Sequence, residues 1–504
     1  MKIFNAGQIR EWDAFTIVHE PISSIDLMER AAGKCVDWLK ENDFLVNQFV
    51  IYCGKGNNGG DGLAIARMLS QRECRVAVYI LEFGHLGTED FQLNLERLHQ
   101  YADVQIKFIQ TEEQFPSFDK REIIIDALFG SGLNRPLEGV TAKLVEHINH
   151  SDCEIISVDV PSGLPVDQPG KGNVIKAMHT LSFQVYKLAF LMQENASFVG
   201  NVHILDIGLH PDFYDSTETN YELIDKEIIA SVYKPRNRFA HKGNFGHALM
   251  VAGSYGKMGA AVLCNKACLR SGAGLTTCHI PKCGYEIMQT ALPEVMVMTD
   301  FNSSFVTKIE DDISKFTCIG IGPGIGTASE TKNLLLEIFE SYKKPVVLDA
   351  DALNIISTDK NLLKKMPANS ILTPHPKEFE RLFGKTENNF NGLQSAQQKA
   401  KEFNVVIVLK SHHTSIVTPG GRIYFNSTGN AGMAKGGSGD VLTGIITALV
   451  CQGYDAIEAA IIGVHLHGLA GDLAAEKYSM ESIIAGDITD SIGNAFKQII
   501  NYLY

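Results

Sequence analysis

The stretch Met433–Gly444, "MAKGGSGDVLTG", combines three glycines, a serine and an aspartate directly before an apolar helical pattern. Glycines let backbone N–H groups approach an anion closely, and a helix that begins near Asp440 adds the positive end of its dipole. This pattern predicts a phosphate cradle at the mouth of a helix. A carboxylate there repels phosphate, so Asp440 makes chemical sense as a base that takes a proton from a hydroxyl. The structural alternative is that Asp440 is only a helix N-cap after a tight turn.

Two more features of the second half support a phosphate or nucleotide site. "GIGPGIG" (Gly320–Gly326) is a second glycine loop at the end of a strand, and Lys410 in "LKSHHTSIV" ends another strand. Around them, apolar strand segments alternate with helical segments, which predicts a second and larger α/β domain. The predicted strand segments are "HALMVAGSYG", "LTTCHIP", "FTCIGIGPGIG", "PVVLDADAL", "SILTPHP" and "VVIVLKSHHTSIV". The predicted helices are "AAVLCNKACLRSGA", "KEFERLFG", "GDVLTGIITALVCQG" and "AIEAAIIGVHLHGLAGDLAAEKY".

The first half shows the same alternation with shorter strands. The β-branched runs in "FVIYCGKG", "CRVAVYIL", "VQIKFI", "EIIIDALFG" and "EIISVDVPSG" are typical of a parallel sheet with helices on its faces. Such folds bind ligands where the strands end. Near Asp212 the chain becomes polar and loses periodicity, so we predict domains at 1–212 and 236–504 with a linker at 213–235.

The first-half glycine loop leaves two interpretations open. Gly54-x-Gly56-x-x-Gly59 follows a strand and precedes a helix, as in a dinucleotide fingerprint, and Glu82 is a candidate for the ribose-binding acid. An NAD(P)-dependent dehydrogenase is therefore a serious alternative. Against it, the loop "NNGGDG" is unusually polar for the fingerprint.

Oxygen donors recur at the ends of the first-half strands and also argue against the plain dehydrogenase. Asn58, Asp126 and Ser162 together would suit a hard cation, because all three offer oxygen ligands. For any one of them alone, a turn or cap residue is the simpler interpretation.

Composition limits the class of protein. The 504 residues are 45% hydrophobic and 20% charged, with a net charge of −13, which predicts two or three globular domains and argues against a general nucleic-acid surface. The N-terminus lacks a secretory pattern, and no uninterrupted apolar window is long enough to predict a membrane span. The 10 cysteines have neither C-x-x-C nor zinc-ligand spacing, which predicts reduced thiols in a cytoplasmic protein.

A family resemblance of the second half is carried by His241–Leu275 together with "GPGIG", "LDADAL", "LTPHPKEFERL", "GNAGMAKGGSGDVLTG" and "HLHGLAGD". In these motifs the second half resembles the ADP-dependent NAD(P)H-hydrate dehydratases. It implies a ribokinase-like α/β fold, ADP as co-substrate and Mg²⁺. It also implies that the hydrate lies against Ala261, Gly324, Gly326, His375 and Asp440. ADP would lie against Lys410, Ser411, His412, His413, Thr414 and Gly439; family members usually have small residues where this chain has the two histidines.

A family resemblance of the first half is carried by "LMERAAG", "GKGNNGGDGLAIARML", "DALFGSGLNRPL" and "SVDVPSG". In these motifs the first half resembles the NAD(P)H-hydrate epimerases. It implies a Rossmann-like three-layer αβα fold with K⁺ on Asn58, Asp126 and Ser162, and Asp159 as the acid–base residue, whose carboxylate needs a raised pKa for the task. Lys187 either assists it or is an exposed lysine. The implied hydrate-binding residues are Asn57, Asn58, Gly59, Gly60, Asp61, Gly130, Ser131, Gly132, Leu133, Asn134, Arg135, Pro136 and Asp159.

Together the two resemblances imply a repair enzyme for hydrated NADH and NADPH (NADHX and NADPHX). One half would interconvert the R and S hydrates at C6, and the other would dehydrate the S hydrate. Hydroxide leaves poorly and a phosphate ester leaves easily, so a kinase-like site can serve a dehydration. The resemblance also implies a homo-oligomer, whereas the net charge and the lack of a long apolar window predict neither nucleic acid nor membrane as partner.

Two further functions stay open at this stage. One is a ribokinase-class small-molecule kinase with the first half as a regulatory module. The other makes the first half a non-catalytic binding module. His465 and His467 do not favour a metal site, because residues two apart on a helix point in different directions; we interpret them as packing or hydrogen-bonding residues.

Overall fold

The structure is a computed structural model that describes residues 1–82, 84–133 and 135–503. It consists of two compact units, Lys2–Thr219 (the N-terminal unit) and Met1 with the chain from Asn220 onward (the C-terminal unit).

The N-terminal unit alternates strands and helices over most of its length. Its described strands are β1 (Gln48–Cys53), β2 (Val76–Leu81), β3 (Gln105–Ile109), β4 (Glu122–Ala127), β5 (Glu154–Val158), β6 (His179–Phe183) and β7 (Asn201–Leu205). Its described helices are α1 (Ala6–His19), α2 (Ser24–Glu41), α3 (Asn57–Ser70), α4 (Glu89–Leu98), α5 (Gly139–Asn149), α6 (Ala196–Val199) and α7 (Pro211–Ser216).

The seven described strands of this unit form one parallel sheet in the order β3-β2-β1-β4-β5-β6-β7. The central strands β1 and β4 are buried along nearly their whole length, which explains their continuous apolar runs. Strand order reverses between β1 and β4, and such a switch point opens a crevice at the carboxyl ends of the strands. The loops after β1 and β4 are therefore placed to form a ligand site.

Two glycines of the loop after β1 permit an unusually close chain approach. A Cβ on Gly54 would lie 1.9 Å from the carbonyl oxygen of Leu128, and a Cβ on Gly59 would lie 1.8 Å from that of Gly54. A larger residue at position 54 would separate the β1 and β4 loops, and one at position 59 would open the β1 loop itself. The glycine pattern that resembles a dinucleotide fingerprint thus holds these two loops together.

The C-terminal unit repeats the alternation with a larger sheet. Its described strands are β8 (Tyr221–Leu223), β9 (His247–Val251), β10 (Leu275–Ile280), β11 (Met296–Thr299), β12 (Cys318–Ile321), β13 (Val346–Leu348), β14 (Ile371–Leu372), β15 (Val406–Leu409), β16 (Ser415–Val417) and β17 (Ile423–Phe425). Its described helices are α8 (Lys226–Val232), α9 (Met258–Arg270), α10 (Tyr285–Ala291), α11 (Ser329–Ser341), α12 (Ala350–Thr358), α13 (Asn361–Lys365), α14 (Pro376–Phe383), α15 (Asn389–Phe403), α16 (Ser438–Cys451), α17 (Ala456–Tyr478) and α18 (Ala485–Asn501).

This sheet has the order β11-β10-β9-β12-β13-β14-β15-β16-β17-β8. The strands from β11 to β15 are parallel, and β16 pairs antiparallel with both neighbours. The carboxyl ends of β9, β12, β13, β14 and β15 thus lie along one edge. The glycine loop before α16 supplies the remaining predicted site residues.

Helix α17 is long and apolar enough to cross a membrane by length and composition only, and charged residues such as Glu458 and Asp472 interrupt its apolar sequence. About two thirds of its most apolar window is buried inside the protein, 67%. It packs with α16 and α18 in the main core of the C-terminal unit, through residues such as Ile462 and Leu466. Burial against these helices accounts for its composition.

The mixed α/β architecture with parallel sheets confirms the predicted fold class. Five strands lie outside the segments that we named from sequence: β6, β7, β8, β11 and β17. The segment 213–235, predicted as a linker, contains the end of α7 and also β8 and α8. β8 pairs with β17, and its Leu223 exchanges backbone hydrogen bonds of 2.8 Å with Met1.

Candidate functional sites

A cavity of about 700 Å³ opens at the switch point of the N-terminal unit. Its lining comes from helices α1 and α2 and the start of α3, from the loops after β1, β2 and β4, and from the segments at or after the ends of β5, β6 and β7. Asn57, Asn58, Asp61 and Asp159 are among the lining residues, as are Gly130, Ser131, Gly132, Leu133 and Arg135. Most of the predicted hydrate-binding residues therefore meet in one cavity.

The other predicted hydrate-binding residues do not line this cavity. Gly59 and Gly60 are buried in the first turn of α3, where a Cβ on Gly60 would meet the sulfur of Met28 at 2.7 Å. Pro136 is not among the lining residues, and Asn134 lies outside the described residues.

A buried ion pair joins Asp159 and Lys187 in the cavity. The Lys187 ammonium lies 2.8 Å from Asp159 Oδ1 and donates to Ser182 Oγ at 2.7 Å and to the Phe183 carbonyl at 2.8 Å. Lys187 is 0% exposed, so the interpretation of an exposed lysine is wrong. The backbone N–H groups of Ser131 and Phe183 also point at the Asp159 carboxylate, each at 3.4 Å.

Two more carboxylates face this pair. Asp61 is buried at the start of α3, and Asp13 lies half-buried on α1; both line the cavity. Burial, reinforced by the charge of Asp159, raises the pKa of Asp13 to about 7 and raises the pKa of Asp61 well above its usual range. Sequence reasoning missed Asp13, because its motif, "REWDAF", carries no glycine loop or strand end.

The predicted cation ligands lie together beside the cavity. Asp126 is fully buried at the end of β4; its carboxylate accepts from the Ser162 hydroxyl at 2.5 Å and from the Ser157 hydroxyl and the Ser162 N–H at 2.8 Å. Within the described residues no lysine, arginine or histidine pairs with Asp126, and the buried Asn58 Nδ2 has no hydrogen-bond partner. The Asn58 amide lies beside Gly130, 3.2 Å from where a Cβ would stand.

Glu82, the candidate ribose acid, is already engaged. Its carboxylate forms an ion pair with Lys55 and accepts from the Gly84 N–H at 2.7 Å. Lys55 lowers the pKa of Glu82, which keeps the pair charged.

In the C-terminal unit the loop "AKGGSGD" turns directly into α16. The N-cap is Gly437 in the left-handed conformation, φ 92°, without a side-chain cap, so the N-cap interpretation of Asp440 is wrong. Ser438 is the first helical residue and Asp440 the third. Burial, followed by the charge of Asp349, raises the pKa of Asp440 to about 6, against the opposing effect of Lys410.

A charged network surrounds this helix start. Lys410 donates to Asp349 Oδ1 at 2.8 Å, and Thr443 of α16 donates to Asp349 Oδ2 at 2.8 Å. Glu378 lies 3.9 Å from the Lys410 ammonium, and burial raises its pKa. A Cβ on Gly439 would lie 3.5 Å from both Asp349 and Lys410. Gly439, Asp440 and Lys410 are therefore brought together, as predicted.

Asp349 and Glu378 belong to this network but were not singled out from sequence. Asp349 ends β13 in "LDADAL", the same strand-end signal that identified Asp126 and Asp159, and could have been found by it. Glu378 stands in "TPHPKEFE", three residues after His375, and forms a capping box with it.

The predicted hydrate-side glycines lie at the end of β12. Gly326 donates its N–H to Asp351 at 2.9 Å, and Asp351 pairs with Lys257 at 3.2 Å. Gly324 accepts from Ser254 at 2.6 Å. Ala261 is 0% exposed, packed against Gly253, so its methyl group does not face an open surface.

His375 is the N-cap of α14 and is 43% exposed on its side chain, with Nε2 3.6 Å from Glu378. Glu378 in turn lies 3.9 Å from the Lys410 ammonium, so His375 is linked to the charged network through Glu378. The turn between β15 and β16 holds Ser411, His412, His413 and Thr414. His413 Nδ1 lies 3.2 Å from the Asn426 carbonyl, and burial lowers the pKa of His413 to about 4, whereas His412 is exposed.

His467 and His465 of α17 have separate environments. His467 Nε2 lies 3.3 Å from the Ser438 hydroxyl at the start of α16, and burial lowers the His467 pKa to about 4. His465 packs its ring against Tyr502. His467 is thus a neutral hydrogen-bonding residue beside the glycine loop.

Comparison with known proteins assigns each half to a described family. Residues 248–494 match the family described as NAD(P)H-hydrate dehydratase, and residues 24–189 match the family described as YjeF-related protein N-terminus.

Relatives that match nearly the whole chain carry both halves. The bifunctional NAD(P)H-hydrate repair enzyme of Moorella thermoacetica is 34% identical over 508 residues, 97% of this chain and 96% of the relative. The enzyme of the same name from Escherichia coli is 31% identical and matches 88% of this chain and 84% of its own length. A solved ADP/ATP-dependent NAD(P)H-hydrate dehydratase from Bacillus subtilis, co-crystallised with ATP and Mg²⁺, is 30% identical. It covers 56% of this chain and 100% of its own, with a TM-score of 0.49.

Proposed function

This chain belongs to the family of bifunctional NAD(P)H-hydrate repair enzymes, and from that premise we propose how its two units divide the work. The N-terminal unit interconverts the R and S hydrates of NADH and NADPH at C6. The C-terminal unit removes water from the S hydrate with ADP as phosphate donor. The main support for this assignment is that each unit places a carboxylate beside a glycine loop. Asp159 lines the cavity with the glycine loops after β1 and β4, and Asp440 directly follows the glycine loop that begins α16.

Asp159 is the acid–base residue of the epimerase in this proposal. The Lys187 ammonium, at 2.8 Å, orients the carboxylate, and the N–H groups of Ser131 and Phe183 also donate to it, each at 3.4 Å. An ionised carboxylate in a cavity can accept a proton from a hydroxyl or a water molecule.

Asn58, Asp126 and Ser162 fit a potassium ion. All three offer oxygen, the buried Asp126 carboxylate has no cationic side chain among the described residues, and rotation of the unpartnered Asn58 amide would present its oxygen. A bound potassium ion would supply positive charge beside a carboxylate that burial otherwise drives toward the protonated form. By binding one ion together, these residues would link the β1 and β4 loops, which line the cavity.

Removal of potassium should therefore destabilise the N-terminal unit. Exchange of KCl for choline chloride is expected to lower the urea midpoint of this unit. Potassium at 100 times its dissociation constant would contribute about 2.7 kcal/mol to the free energy of unfolding. Tryptophan fluorescence measures it, because the two tryptophans of the chain, Trp12 and Trp38, both lie in this unit. Asp126→Asn should lose the difference and the exposed-site control Asp103→Asn should keep it. Equal midpoints in both salts for the native chain would contradict the potassium site.

In the C-terminal unit, Asp440 is proposed to act as the base. It takes the proton of the C6 hydroxyl while that oxygen attacks the terminal phosphorus of ADP. The bond from this phosphorus to the bridging oxygen breaks, and AMP leaves with the electron pair on that oxygen. The C6–O bond of the resulting ester then breaks, inorganic phosphate leaves, and loss of a proton from C5 forms the C5–C6 double bond. The N–H groups at the start of α16 and the Lys410 ammonium stabilise the phosphate charge.

Asp349 and Glu378 fit Mg²⁺ as carboxylate ligands. Magnesium commonly takes only one or two carboxylates and completes its shell with water and substrate phosphates. Among the described residues, no group of three or more His, Cys, Asp or Glu forms a metal site by itself, so water and phosphate oxygens would have to complete the shell. When bound, the ion would neutralise charge on the phosphates that Lys410 also contacts.

The turn Ser411–Thr414 follows Lys410 and is proposed to border the nucleotide. The neutral His413 is held against Asn426, so the exposed His412 is the residue free to contact a base or ribose. The resemblance further suggests a cytoplasmic homo-oligomer. Light scattering after size exclusion would measure its molar mass and so its number of subunits.

A hydrate assay tests the whole proposal. The purified chain, supplied with separated R and S hydrates and ADP or ATP, is expected to regenerate the absorbance of reduced nicotinamide from both epimers. Without nucleotide it should only interconvert them. A stable phosphorylated product without regeneration of NADH would favour the small-molecule kinase instead.

A further inference from the structure

Helix α1 presents one stripe of side chains to the N-terminal cavity. Ile9, Asp13 and Ile17 succeed each other at helical spacing, with Arg10 and Ala14 beside them, and all five line the cavity. The helix is anchored by the buried Trp12, which also borders the cavity and donates its indole N–H to the His210 carbonyl at 2.8 Å. Asp13 is thus held rigidly in an otherwise largely apolar stripe.

The Asp13 carboxylate has no hydrogen bond or ion pair to any described residue. The charged or titratable groups that share the cavity with it are Arg10 on its own helix, Asp61 on α3, Arg135 after β4, Asp159 after β5 and Lys187 after β6. Asp159 raises the pKa of Asp13 and Lys187 lowers it, so both lie within electrostatic reach. Lys187 itself is committed to Asp159, at 2.8 Å.

Two carboxylates therefore reach this cavity from different elements and with different partners. Asp159 follows β5 at the sheet edge and is paired with the Lys187 ammonium at 2.8 Å. Asp13 arrives from α1, mostly among apolar side chains, where burial brings its pKa to about 7 and leaves it partly protonated at neutral pH. A proton donor and a proton acceptor in one site are what inversion of a hydroxyl-bearing carbon between two faces requires.

We propose that Asp13 is a second catalytic residue of the epimerase, the acid that protonates the departing C6 hydroxyl while Asp159 serves as the base for the returning water. The inference deepens the epimerase assignment above and rests on it.

The step balances without an oxidant or reductant. Asp13 transfers its proton to the C6 oxygen, the C6–O bond breaks with its electron pair on oxygen, and water leaves. The N1 lone pair forms an N1–C6 double bond. A water molecule then adds to the opposite face of C6, the π pair returns to N1, and the proton of that water passes to Asp159. The reverse reaction, or exchange with solvent, restores both carboxyl groups.

The test compares Asp13→Asn, Asp13→Glu and the control Glu11→Gln, an exposed carboxylate of the same helix, in the full chain. Interconversion of purified R and S hydrates is followed by chromatography. Asp13→Asn is expected to slow it by about 100-fold or more. Asp13→Glu should recover part of the rate, and Glu11→Gln should match the native chain. Dehydration of the S hydrate by the same molecules should be unchanged, which shows that each variant is folded.

Two further measurements separate an acid from a structural residue. The native rate should fall as pH rises through about 7, because the acid loses its proton, and Asp13→Asn should lack this fall. In ¹⁸O-labelled water, each inversion should place one labelled oxygen at C6. A native rate for Asp13→Asn, an unchanged fall with pH, or retention of the original oxygen would overturn the proposal. Absence of interconversion by the native chain would instead refute the epimerase assignment itself.

Discussion

Asp440→Asn should slow nucleotide-dependent dehydration by about 100-fold or more, the usual contribution of a general base. The asparagine keeps the size of the side chain and the start of α16, whose N-cap is Gly437. It cannot accept the proton of the C6 hydroxyl, so attack on phosphorus loses its base. The measurement is the return of reduced-nicotinamide absorbance from S hydrate and ADP. Glu476→Gln, at an exposed position of α17, is the matched control.

The same residue predicts a pH dependence. Because burial and Asp349 raise the pKa of Asp440 to about 6, dehydration should rise with pH through about 6 as the base loses its proton. Epimerisation by the same variant should stay at the native rate, because Asp440 belongs to the C-terminal unit. Full dehydratase activity in Asp440→Asn would refute its assignment as base and leave the glycine cradle only a binding role.

Much of this arrangement could be predicted because its signals are local. A strand that ends in glycine or aspartate, followed by a helix, places its last residues at the edge of a parallel sheet wherever the strand lies in the order. Asp126 and Asp159 were found in this way, and the structure places them beside or in the N-terminal cavity. Asp440 was found from the glycine loop before its helix, and it lies in the first turn of α16. The strand-end signal in "LDADAL" would have found Asp349.

Other features depend on partners that are distant in sequence. Lys187, in "VYKLAF", has the pattern of a surface lysine, and its complete burial follows from the Asp159 carboxylate and the Ser182 hydroxyl. Asp13 lies on a helix with no catalytic motif and becomes chemically notable only because α1 covers the cavity. β8 is three residues long and exists because β17, far along the chain, offers it a free edge.

Asp159→Asn should abolish epimerisation and also destabilise the N-terminal unit. The substitution leaves the Lys187 ammonium fully buried with only neutral oxygen partners, and loss of one member of a buried ion pair costs about 3–5 kcal/mol. The backbone should tolerate it, because Asp159 has φ 62° and asparagine, unlike most residues, accepts this left-handed region. Urea unfolding followed by tryptophan fluorescence reports the loss, since both tryptophans lie in this unit.

The double variant Asp159→Asn, Lys187→Met separates the stability effect from the chemistry. Methionine removes the unpaired charge while keeping a similar length and apolar surface, so most of the lost free energy of unfolding should return. The rate of epimerisation should remain about 100-fold or more below that of the native chain, because the proton acceptor is still missing. Dehydration of the S hydrate serves as the control in both variants. Restored epimerisation in the stabilised double variant would mean that Asp159 only supports the fold, and the acid–base role would then have to pass to Asp61 or Asp13.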